Sequence, residues 1–334
     1  MAEPPVKSPG KLRNLRDLAR EVGVTPATVS MALHNSPRLS NQMRDRICRI
    51  ARENGFTPRA YRRKTPEQSR FGQISPVAVL FSDSSETDPV RDGIVPVLLP
   101  LLNERRIDYK YVNSRSVLDN PAALANFRGV IFYNDYVRHR LILPAGMPAA
   151  QIFGWNSLGP HTDRVTANDL QVVELAAQYL CRRPIDRAVL VWCREMILFP
   201  NHPRITGFFD AMRERNIEIV PLVFDEKETE FLPMLRECLG SGGGRIGFFA
   251  FNACCGLKLC CALESLGLLK RYAPENLIVC DRSPLLHPFN PRPAMIDLNL
   301  PMMTEFALDA LCRRIERPEL PSTILLQSPK LAES

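Results

Sequence analysis

The sequence predicts a small all-α head of three short helices over residues 11–58, and an α/β body over residues 75–334 built from two doubly wound parallel sheets. Three observations lead there. Through the first sixty positions, apolar residues recur at helical spacing, each run preceded by a capping residue. From Ser75 onward, short β-branched runs alternate with amphipathic stretches, the pattern of parallel sheets covered by helices. Positive charge gathers at one end: residues 1–70 hold 15 Lys/Arg against 6 Asp/Glu, and the remaining 264 hold 28 against 30. A basic head on a near-neutral body is the footprint of a polyanion contact.

Residues 1–10 read as a disordered leader, polar and Pro-containing, without the apolar segment of a signal peptide. Asn14 caps a first helix in which Leu15, Leu18, Ala19 and Val22 share a face, and Asp17 favours its N-terminal end. Gly23 suits the left-handed turn after it. Thr25 caps a second helix with Pro26 in its first turn and Val29, Ala32 and Leu33 facing inward. Asn35-Ser36-Pro37 breaks that helix. Ser40 caps a third, with Met43, Ile47, Ile50 and Ala51 on one face, ending near Gly55. Two short helices joined by a Gly-containing turn, then a supporting third, describe a helix-turn-helix unit.

In the body, strands are predicted at Pro76–Phe81, Tyr109–Asn113, Val130–Tyr133 and Ala149–Phe153, with a helix at Val90–Glu104 despite Pro96 and Pro100. A second set follows, with helices at Asp169–Cys181, Arg204–Arg215, Cys254–Leu266 and Met302–Arg314. Its strands fall at Ala188–Trp192, Ile219–Val223, Ile246–Phe251 and Leu277–Cys280. Two such sets make two lobes, and ligands in these folds sit at the carboxyl ends of strands. Lobe 1 is expected at about 75–155 with 283–300, and lobe 2 at about 156–282 with 301–334.

The stretch NLRDLAREVGVTPATVSMALHNSPRLSNQMRDRICRIARENGFTPRA resembles the headpiece of the LacI/GalR (lactose repressor) family of bacterial regulators. The matching elements are Asp17-Leu18-Ala19, Gly23-Val24, Thr28-Val29-Ser30, Leu33-His34-Asn35, Ser40 and Gly55-Phe56-Thr57-Pro58. The resemblance implies that the second helix lies in the major groove of double-stranded DNA. Pro26 and Ala27 then hold the base-discriminating positions, and Met31 stands where an arginine often reads guanine. Thr25, Thr28, Ser30, His34 and Ser40 are the implied phosphate contacts, Arg38 reaches the adjoining backbone, and Asn14, Leu15 and Arg16 complete the set. Pro, Ala and Met make apolar contacts but no bidentate hydrogen bond, so specificity is expected to lean on DNA shape. Residues 59–74 form a hinge. Thr65 replaces the family's minor-groove leucine there, while Arg59, Arg62, Arg63 and Lys64 keep the segment basic.

The body resembles the family's periplasmic-binding-protein-like core. Val165 to Asp169 matches its V-x-x-D element, Arg204 to Phe208 its R-x-x-G-[FW] element, and Asn252 and Asp281 match polar positions of its cleft. The resemblance implies effector contacts by Arg204, Asn252 and Asp281, with Trp155 near the cleft mouth, and assembly as a homodimer. An aspartate expected at the end of the first lobe's last strand is replaced by Phe153 or Gly154. The effector is expected to be a sugar, sugar acid or phosphosugar, an anion best matching Arg204. The implied function is a repressor binding a near-palindromic operator. The alternative is a DNA-binding regulator whose core serves only dimerisation or protein partners.

Other classes find little support. The ten cysteines stand singly or as Cys254-Cys255 and Cys260-Cys261, with neither C-x-x-C nor His at ligand spacing, and read as reduced core residues. The Gly240–Gly244 run lacks the Lys-Ser/Thr of a phosphate loop. No G-x-S-x-G, H-E-x-x-H or Walker motif occurs, so neither an enzyme nor a cofactor is expected. No apolar run is long enough for a membrane span, and a cytoplasmic location is expected.

Overall fold

The computed structural model describes residues 15–33, 41–53, 76–81, 89–133, 143–154, 159–193, 201–224, 231–240 and 244–332. The chain divides into two compact units, residues 1–67 and 68–334.

The head has helices α1 (Leu15–Val22), α2 (Pro26–Leu33) and α3 (Asn41–Glu53). Gly23 closes α1 at φ 77°, a conformation that costs glycine no Cβ clash. Its N–H and that of Val24 both donate to the Ala19 carbonyl at 2.9 Å. Leu18, Ala19, Val22, Val29, Ala32, Ile47 and Ala51 form a separate buried core, flanked by Val24, Met43 and Ile50. The helical period therefore selects the inward faces of all three helices as expected.

The body holds two six-stranded sheets. The first contains β1 (Val77–Phe81), β2 (Tyr109–Asn113), β3 (Gly129–Tyr133), β4 (Ala149–Ile152), β5 (Thr162–Ala167) and β11 (Ile324–Gln327), in the order β11-β5-β4-β3-β1-β2. The second contains β6 (Arg187–Cys193), β7 (Glu218–Phe224), β8 (Ile246–Ala250), β9 (Leu277–Cys280), β10 (Ala294–Asp297) and β12 (Lys330–Ala332), in the order β12-β10-β9-β8-β6-β7. All pairings are parallel except that of β10 with β12.

The helices are α4 (Pro89–Glu104), α5 (Ser114–Asp119), α6 (Asp169–Leu180), α7 (Pro203–Glu214), α8 (Phe231–Gly240), α9 (Ala253–Ser265), α10 (Leu269–Tyr272) and α11 (Leu300–Glu316). In α4 the buried residues Ile94, Leu98 and Leu102 recur every four positions, while Pro96 and Pro100 lie on the exposed side. The carbonyls that lose a donor there remain open to water, so the helix runs through both prolines.

The strand pairing divides the lobes differently from the sequence expectation. β5 closes the first sheet, so lobe 1 continues past residue 155 to Ala167. β10 pairs with β9, so residues 294–297 belong to lobe 2. Helix α11 packs on β3, β4 and β5, and β11 on β5, returning residues 300–327 to lobe 1. The reason lies in β5, whose polar residues Thr162, Asp163, Arg164 and Thr166 are all buried and do not read as a strand. Asp163 and Arg164 are matched from elsewhere in the chain. The Arg314 guanidinium forks onto both Asp163 oxygens at 2.7 and 3.1 Å, Thr323 adds an N–H and a hydroxyl at 2.8 and 2.7 Å, and Arg164 donates to Gln151 at 3.0 Å.

Residues 168, 298–299 and 328–329 cross between the lobes. The first and third crossings are tied together, the Asn168 N–H donating to the Gln327 carbonyl at 2.8 Å. Because β5, β10 and β11 all cross directly from their carboxyl ends, those ends of both sheets face the other lobe.

Candidate nucleic-acid interface and interlobe site

In the head, α2 turns Val29 and Ala32 into the core. Thr25 and Pro26 are exposed and Thr28 is half-buried. The Thr25 hydroxyl accepts from the Thr28 N–H at 3.2 Å and contacts the Thr28 hydroxyl at 2.8 Å. It therefore caps α2, as expected, and presents the first turn of the helix. The side chains of Leu15, Arg16, Ala27, Ser30 and Met31 lie outside the described set. So do Asn14, His34, Arg38, Ser40, Arg59, Arg62, Arg63 and Trp155, with the leader and the hinge.

In lobe 2, three of the predicted residues come together. His202 caps α7, its Nδ1 accepting from the Arg204 N–H at 3.1 Å, and Pro203 takes the first helical position. Arg204 is buried. Its Nε and Nη2 meet Asp169 Oδ1 at 2.9 and 2.8 Å, and Nη1 donates to the Phe251 carbonyl at 2.7 Å. The guanidinium also lies 4.7 Å from the centre of the Phe251 ring, against which the His202 ring packs edge-on at 4.8 Å.

Asp281 follows β9 with φ 73° and is buried. It accepts a hydrogen bond from the backbone of Ala253, at the start of α9, and from the Cys280 thiol at 3.5 Å. Burial pushes its carboxyl above the usual carboxylate range despite nearby Arg204. Burial also lowers His202 to about 2, helped by Arg204, so the ring is neutral. Asn252 caps α9, its side chain accepting from the Cys255 N–H at 2.9 Å.

Sequence reading missed the partner that matters most. Asp169 was visible only as the end of V-x-x-D, yet it neutralises Arg204 within the same lobe. Trp192 lies near the end of β6. It stacks edge-on with Phe209 at 6.4 Å, and its buried Nε1 has no hydrogen-bond partner among the described residues. Most of the described thiols behave as core groups: burial pushes Cys260 up to about 12 and Cys312 up to about 11, and raises Cys255 and Cys280 as well. Cys261 is exposed, and Cys181 and Cys254 are half-buried. Among the described residues no cluster of His, Cys, Asp or Glu is placed to hold a metal ion. No helix among them is long and apolar enough to cross a membrane.

Residues 14–59 match the family model for bacterial regulatory proteins of the lacI family. No curated protein sequence matches the chain. Among solved structures, it is similar to the transcriptional regulator CelR in complex with cellobiose, at 20% identity and TM-score 0.64 over 96% of this chain and 98% of that one. It is similar over the same shares to the lac repressor dimer bound to operator and the anti-inducer ONPF, at 13% identity and TM-score 0.61. A LacI family regulator from Enterococcus faecium with bound ribose aligns at 20% identity and TM-score 0.62, over 77% of this chain and 96% of that one. These structural likenesses establish the fold of the core. Residues 14–59 thus form a DNA-binding helix-turn-helix of the lacI type, and the rest of the chain has the two-lobed periplasmic-binding-protein-like fold.

Proposed function

We propose that the protein is a cytoplasmic repressor that binds a near-palindromic operator as a homodimer and responds to a small molecule held between its lobes. The observation that carries the DNA reading is the headpiece, whose capped α2 keeps Val29 and Ala32 inside and leaves Thr25 and Pro26 exposed. Pro26, Ala27 and Met31 supply apolar base contacts, and Thr28, Ser30, His34, Arg38 and Ser40 hold phosphates, with Asn14, Leu15 and Arg16 at the start of α1. Thr25 contributes through the cap it makes. Arg59, Arg62 and Arg63 in the hinge add charge along the backbone.

For the core, Arg204, Asn252 and Asp281 are the proposed effector contacts, with Trp155 at the mouth. Asp169 already neutralises Arg204, and Asp281 adds a second carboxyl. An uncharged effector therefore replaces the anionic one expected from the sequence. The bound cellobiose and ribose of the two regulators above are uncharged and agree with this. Ligand binding shifts the population of lobe arrangements and so alters operator affinity.

The test is selection from a random duplex library at physiological salt, followed by affinity against salt for the enriched sequence. A near-palindromic consensus is expected. Equal, steeply salt-dependent binding to every duplex would overturn the operator reading.

A further inference from the structure

The two sheets carry equivalent positions at their carboxyl ends, and the residues there are not alike. Read from the same edge, the third strand is β4 in lobe 1 and β9 in lobe 2. Each is followed by a non-glycine residue in the left-handed region: Phe153 at φ 64° and Asp281 at φ 73°. That conformation is costly for a side-chain-bearing residue, most of all a bulky one, and such residues concentrate where a site requires them. Both stand at carboxyl ends, on the side of each sheet that faces the other lobe.

The Phe153 turn is closely held. Its N–H donates to the Val165 carbonyl at 2.8 Å. Gly154 follows at φ 102°, where an added Cβ would lie 2.0 Å from the Gln151 amide nitrogen. Gln151 is itself fixed by Arg164. The phenyl is half-buried against the main core.

At the carboxyl ends of its own sheet, lobe 2 supplies hydrogen-bonding groups with capacity left. Of the five N–H groups of Arg204, contacts to Asp169 and Phe251 use three. Asp281 retains acceptor capacity, and the Trp192 indole N–H has no partner among the described residues. Lobe 1 offers the phenyl and, on the adjacent strand β5, the Thr166 hydroxyl, which has no hydrogen-bond partner among the described residues.

We propose that the effector is an uncharged molecule with two unlike parts, a hydroxyl-bearing portion held by Arg204 and Asp281 and an aromatic ring held by Phe153, which selects it. This rests on the reading of the core as ligand-responsive. An aromatic pair favours ring-bearing ligands beyond the area it buries. A phenyl in place of a second acidic group also leaves the hydroxyls of a free sugar unmatched on lobe 1, and desolvating them there is unfavourable.

The experiment is calorimetric titration and thermal shift of the full chain with phenyl glycosides and nucleosides, the parent free sugars, and sugar phosphates. Ring-bearing neutral compounds are expected to bind on the order of tenfold more tightly than their parents. Phe153→Leu is expected to erase that preference, and Phe153→Asp to reverse it toward free sugars. Asp tolerates the left-handed backbone well, and Phe153→Leu preserves apolar bulk, so a fold defect in one variant leaves the other informative. Free sugars binding wild type as tightly as their phenyl glycosides, or a preference for phosphates, overturns the proposal while keeping the ligand-responsive core. No binding by any compound to well-folded wild type overturns the ligand-responsive reading itself.

Discussion

His202 shows how one buried side chain couples stability to pH. Its folded pKa, lowered to about 2, lies far below the ordinary value near 6.5, so the unfolded chain binds the extra proton throughout the interval between. Stability from this group is complete above pH 6.5 and declines as pH falls. Between pH 7 and 5, where few carboxylates titrate, melting should show destabilisation approaching about 1.4 kcal/mol per pH unit. His202→Asn, which can still cap α7, should flatten that slope. An unchanged slope would place the proton elsewhere. Single residues were unevenly legible. Arg204 and Asp281 stood out by the motifs around them. Asp169, 35 positions from Arg204, carried no sign of the pairing, because a buried ion pair is made by tertiary structure and leaves no local spacing.

At the scale of elements, the three head helices were legible because caps, a turn glycine and periodic apolar residues all agree locally. Thr25→Ala removes the acceptor for the Thr28 N–H and should lower headpiece stability by about 1 kcal/mol, measured as a decreased headpiece melting temperature. Thr25→Ser should restore most of it. The elements that escaped are those whose logic is nonlocal. β5 has four buried polar residues, of which Asp163 is matched by Arg314 and Thr323 and Arg164 by Gln151. β11 exposes Ile324, Leu325 and Leu326, inverting the usual expectation for an apolar run. Helix α4 went the other way: its prolines weaken the prediction, yet both lie on the exposed side, where the backbone tolerates them.

For the whole molecule, the Asp163–Arg314 pair fastens the end of α11 to the first sheet. Both residues are about 1% exposed, and the guanidinium also donates to the Leu320 and Pro321 carbonyls. Arg314→Met would leave the buried Asp163 carboxylate without its guanidinium partner, with Thr323 still bonded to it, and would strip a donor from two carbonyls; it should cost about 3–5 kcal/mol in chemical denaturation. Replacing both partners, Asp163→Leu with Arg314→Met, should cost less than the single change. A single variant as stable as wild type would show that the pair carries no such role.

The threefold crossing between lobes also sets an order in time. Lobe 1 begins with β1 at residue 77, but its sheet lacks an edge and its covering helix until residues 300–327 have been made. The second sheet's five parallel strands lie wholly between those dates. On a ribosome adding about 5–20 residues per second, the lobe begun first is therefore finished last, and its apolar face waits for α11 while lobe 2 is synthesised.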